Sequence, residues 1–73
     1  MKIIYDPETD TLSLLLRDSV VSESDELEDG IIVDYDSDGR IVGFELLEAS
    51  KYIEEPQGIL YQLKGRLSPS SRP

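Results

Sequence analysis

Apolar residues recur at every second position through much of the chain, and that period predicts strands. Residues 3–5, Ile3-Ile4-Tyr5, form a short apolar run. Asp6-Pro7-Glu8-Thr9-Asp10 is turn chemistry, with Pro fixing φ and Asp able to accept from the turn's own N–H groups. Thr11-Leu12-Ser13-Leu14-Leu15-Leu16 then places Leu12, Leu14 and Leu16 on one face. Residues 20–27 tolerate a strand but are polar, which suits a sheet edge or a loop better than a central strand. Gly30 interrupts the chain before Ile31-Ile32-Val33-Asp34-Tyr35. Asp38-Gly39 is a strong hairpin signal, and residues 40–47 form the return strand.

A two-residue turn at Asp38-Gly39 fixes a register. Ser37 faces Arg40, Asp36 faces Ile41, Tyr35 faces Val42, Val33 faces Phe44 and Ile31 faces Leu46. The last three pairs are apolar and share one face, whereas Asp34 with Gly43 and Ile32 with Glu45 share the other. Slipping by one residue would destroy that segregation. Gly43 in mid-strand signals a bulge or a close approach from the other side. A weak repeat adds to the pattern: Tyr5-Asp6 and Tyr35-Asp36 each close a strand, with Asp placed to cap the turn that follows.

After Leu47 the period becomes helical. Ala49, Tyr52 and Ile53 fall on one face, Glu48 and Lys51 lie one turn apart, and Pro56 ends the segment. Ile59-Leu60-Tyr61-Gln62-Leu63 is a further apolar patch, open to reading as a helical turn, a last strand or a sticky segment. The fold class expected is α+β: a small antiparallel β-sheet of two hairpins with a short C-terminal helix. The sheet has five strands if residues 20–27 pair and four if they do not. Residues 1–55 are expected to form a single β-rich domain. Residues 56–73 form a C-terminal extension, disordered from about residue 66, where Ser and Pro dominate.

Composition narrows the chemistry. A chain of 73 residues buries only about 60% of its unfolded surface, so its core is thin and wants support from a copy or a partner. There is no cysteine and no histidine, which excludes thiol chemistry, a zinc ribbon and a Ser-His-Asp triad. The net charge of −9 opposes binding to nucleic acid or to anionic membranes. No apolar run approaches a membrane span, and no signal-peptide core follows Met1, so a cytoplasmic location is expected. The charge is also segregated. Residues 18–38 carry nine acids and no base, while residues 57–73 carry Lys64, Arg66 and Arg72 and no acid.

One string suggests a ligand. Residues 34–45 match the calcium loop of an EF-hand, with Asp34, Asp36 and Asp38 at alternate positions, Gly39 at the sharp turn and Glu45 at the twelfth position. The context argues against it, because the preceding Ile31-Ile32-Val33 is β-branched where an EF-hand needs a helix. Asp34 and Glu45 also form a candidate acid/base pair.

Three stretches taken together resemble a known family: Tyr5-Asp6-Pro7-Glu8-Thr9-Asp10-Thr11-Leu12; Gly30-Ile31-Ile32-Val33-Asp34-Tyr35-Asp36; and Asp38-Gly39-Arg40-Ile41-Val42-Gly43-Phe44-Glu45-Leu46-Leu47-Glu48-Ala49-Ser50-Lys51. The chain is similar over about residues 1–53 to the small prokaryotic proteins grouped as domain of unknown function 2283. That resemblance implies a compact β-rich fold with a short helix near Ala49-Ser50-Lys51. Members often lie beside genes for small toxin-like ribonucleases, and the resemblance thereby implies an antitoxin-like or accessory partner of a basic protein. The expected function is therefore a non-enzymatic interaction module that needs no cofactor. It would bind itself or a protein partner through a sheet edge or through Ile59, Leu60, Tyr61 and Leu63. Calcium binding by Asp34, Asp36, Asp38 and Glu45 is the alternative, and carboxylate catalysis stands third.

Overall fold

A computed structural model describes residues 1–65. The expected disorder from about residue 66 lies outside the described residues. Five strands form one antiparallel sheet: β1 (Lys2–Asp6), β2 (Thr11–Leu15), β3 (Glu23–Glu28), β4 (Ile31–Tyr35) and β5 (Ile41–Leu46). Their spatial order is β1-β2-β5-β4-β3, so β1 and β3 are the edges. The polar segment around residues 20–27 thus pairs after all, through residues 23–28, and takes the edge position its charge suits. The link from β2 to β3 passes the ends of β5 and β4. It is tied by Leu16 N–H to the Val42 carbonyl (2.8 Å) and by Ser22 N–H to the Tyr35 carbonyl (2.7 Å).

The pairings divide the side chains between two faces. Ile3 and Tyr5, Leu12 and Leu14, Phe44 and Leu46, and Ile31 and Val33 share one face. The other face carries Ile4, Ser13, Glu45, Ile32 and Glu26 in one row and Lys2, Leu15, Gly43, Asp34 and Ser24 in the next. The apolar face is only partly closed. Among the described residues the buried hydrophobics are Val33, Val42 and Ala49, while every residue of β2 stays half-buried.

The hairpin register holds from Ile31 with Leu46 up to Asp34 with Gly43, and it departs at the tip. Tyr35 faces Ile41, not Val42. Asp36 N–H donates to the Arg40 carbonyl (2.9 Å), and Gly39 N–H donates to the Asp36 carbonyl (3.0 Å). The turn therefore spans three residues, with Gly39 at φ +80, a conformation that suits glycine. One Asp36 carboxylate oxygen accepts from Asp38 N–H (2.9 Å) and Arg40 N–H (3.0 Å), and this favours the longer loop. A bulge at Val42 absorbs the extra residue and restores the register below it. Gly43 satisfies both of its expected roles. It follows the bulge, and a Cβ there would lie 2.2 Å from the Leu14 carbonyl oxygen of β2.

The C-terminal helix does not form. In its place is a single 3-10 turn, Ala49–Lys51, entered through Glu48 in the left-handed region (φ 52). The α+β expectation is thus corrected to an antiparallel sheet with one 3-10 turn. Two physical features account for the stop. Asp10 pins the start of the turn from outside, accepting Ala49 N–H on its carbonyl (2.7 Å) and Ser50 N–H on its carboxylate. Further helix would also place Glu54 and Glu55 at the negative end of a helix dipole, just before Pro56.

Candidate functional site

Among the described residues Asp34 is the buried acid, 6% exposed at the fourth of the five positions of β4. The strand period turns it away from the apolar face. Its neighbour on β5 is Gly43, which has no side chain, and its neighbour on β3 is Ser24. The Ser24 hydroxyl donates to Asp34 Oδ1 at 2.6 Å. Glu45 stands diagonally across on the same face, opposite Ile32. The hydrogen bond with Asp34, partial burial and the adjacent negative charge together hold Glu45 above its ordinary range.

The remaining residues of the calcium-like string point elsewhere. Asp36 spends one oxygen on the turn N–H groups, and the other accepts the Arg17 guanidinium at 2.7 Å. The Arg17 bond, backed by the turn N–H groups, holds Asp36 below its ordinary range. Asp38 is exposed in the turn. The segment leading into the loop is strand β4, so the loop is a hairpin tip and not an EF-hand. Among the described residues, no three His, Cys, Asp or Glu side chains are grouped to hold a metal ion.

A second cluster escaped the sequence reading. Asp10, itself at φ 55, ties the β1–β2 turn to the 3-10 turn. Its carboxylate accepts the Tyr5 hydroxyl at 2.6 Å, the Ser50 N–H and the Ser50 hydroxyl. The bonds from Ser50 and then Tyr5 hold Asp10 below its ordinary range, and the same contact raises Tyr5. The sequence signal was faint, being only that both residues sit in stretches carrying the family resemblance.

The suspected interface residues sit together in the C-terminal segment. Ile59, Leu60, Tyr61 and Leu63 are all exposed, Leu60 at 84% and Tyr61 at 75%. Ile59 and Pro56 border Ile3 and Tyr5 at the β1 edge. At the opposite edge every residue of β3 is exposed, including Glu23, Asp25, Glu26 and Glu28.

This sheet corresponds to a defined sequence unit. Residues 2–50 match the family described as "Protein of unknown function (DUF2283)". The chain belongs to this family. The DUF2283 unit spans all five strands and ends within the 3-10 turn, at the residue that Asp10 grips. Both the Asp34–Glu45 pair and the Asp10 clasp lie inside it, while residues 51–73 follow it. No curated protein and no solved structure gives a match. Among the described residues, no helix is long and apolar enough to cross a membrane.

Proposed function

We propose that this DUF2283 protein is a non-enzymatic interaction module whose sheet is completed by another polypeptide. The observation that supports this reading is the open core. Leu12, Leu14, Phe44, Leu46 and Ile31 line one face yet stay half-buried, and large apolar residues remain exposed beside them. Small domains that lack disulfides and metals gain stability by closing such a face against a partner. The acidic β3 edge sets the partner's charge. It repels another acidic strand and attracts a basic one, in keeping with an accessory or antitoxin-like role toward a basic protein. The Asp34–Glu45 pair is given a structural part, since Asp34 is already engaged by Ser24.

Sedimentation of the full chain, alone and as purified under native conditions, tests the proposal. A mass above the 8.2 kDa monomer, from a second copy or from a co-purifying protein, is the expected result. A monomer under both conditions at high micromolar concentration would overturn it.

A further inference from the structure

The two edges of the sheet differ in a way that selects an occupant. Edge β1 has company from its own chain, where Pro56, Gln57 and Ile59 border Ile3, Tyr5 and Pro7. Edge β3 has none among the described residues. Its outer backbone groups form an open ladder, and four of its six side chains are acidic. Two β3 edges laid together would set like charges opposite each other, so β3 does not suit self-pairing. It suits an extended segment that is apolar, free of acids and basic.

This chain contains one such segment outside its sheet. Residues 59–64, Ile59-Leu60-Tyr61-Gln62-Leu63-Lys64, hold no acid and end in a base. They are exposed, lie outside helix and strand, and match the six-residue length of β3. Among the described residues, no backbone hydrogen bond engages them. Their aromatic and branched side chains favour strand geometry.

The fold holds the segment away from its own β3. Ile59 sits at the β1 edge, four inter-strand spacings away, roughly 19 Å. Tyr52 is tied to the Asp29 carbonyl, so reaching its own β3 would require residues 53–58 to leave the β1 edge. A second molecule has no such constraint.

We infer that residues 59–64 of one copy add as a sixth strand to the β3 edge of a second copy. This deepens the interaction-module reading and rests on it. Main-chain hydrogen bonds supply the attachment, and charge supplies the choice of edge. The link is head-to-tail, so two copies close it by exchanging segments reciprocally.

The absence of cysteine allows a unique spin label at Gln62→Cys. Labelled protein is mixed with ¹⁵N-enriched, unlabelled full chain, so that only contacts between molecules broaden the observed amides. The expected result is broadening concentrated on residues 23–28 and relieved by high salt. The double variant Glu23→Lys, Asp25→Lys should weaken association about tenfold or more, and mixing it with a Lys64→Glu copy should restore part of the loss. Amide spectra of each variant alone report whether its sheet is intact. Broadening centred on β1 or on the apolar face would overturn this inference while leaving the interaction-module reading standing. A full chain that stays monomeric would also overturn it, and the broader reading would then rest on a co-purifying foreign protein.

Discussion

At Asp10, Asp36 and Glu45 one functional group is pulled in opposite directions by its surroundings. Donors from Ser50, Tyr5, Arg17 and the turn backbone favour the ionised forms of Asp10 and Asp36. Asp34 favours the protonated form of Glu45. The linkage signs follow. Lowered Asp10 and Asp36 stabilise the fold above the ordinary carboxylate range, and that support is lost as pH falls through their depressed values. Raised Glu45 acts the other way. The fold gains stability as pH falls from neutral through the raised value, down to the ordinary Glu range. Thermal melts against pH should therefore peak at mildly acidic pH. Glu45→Gln should raise the melting temperature at neutral pH and flatten the rise between neutral and mildly acidic pH. Asp10→Ala should lower the melting temperature by several degrees at neutral pH and remove part of the acid-side loss. The capping roles of Asp6 and Asp36 were legible in the sequence because each bonds an N–H two residues on. The Asp10 clasp was not, because it joins residues 40 apart and leaves no period to read.

Among the elements, the β4–β5 hairpin shows how a tip and a register can separate. Alternation of apolar residues places every pair from Asp34 downward, while the turn is decided locally by one carboxylate. A two-residue turn without the bulge would keep the same pairs below Asp34. Asp36→Ala should shift the tip toward that form, seen as large amide shifts at residues 36–42 with residues 31–34 and 43–46 little changed. The failed helix has a comparable cause. A 3.6 period is visible at Ala49, Tyr52 and Ile53, but a single turn held from outside by Asp10 overrides so short a pattern. The β3 edge, left open between strand and loop by its polarity, is settled by pairing with β4.

For the molecule as a whole, burial is concentrated in few residues. Val42 and Val33 carry much of the closed core, so Val42→Ala should cost about 2 kcal/mol in urea unfolding, a large part of what so small a domain holds. Gly43→Ala must displace the β2 backbone and should cost roughly 3 kcal/mol. Fold class was legible except for the helix, because strand period is repeated in four segments. Strand order was not, since nothing local states that β2 lies beside β5.

That strand order also bears on how the protein reaches its fold. The pairs β1–β2, β3–β4 and β4–β5 each close short loops, whereas β2 joins β5 between residues as far apart as Leu12 and Leu46. Two locally formed pieces must therefore meet along one seam, and bringing distant segments together is the slow step in such topologies. Gly43 and Leu14 lie on the seam, so a side chain at position 43 should retard refolding more than it hastens unfolding. Stopped-flow chevrons of Gly43→Ala and Val33→Ala would separate the two arms. The seam, more than either hairpin, sets the rate at which this sheet comes into being.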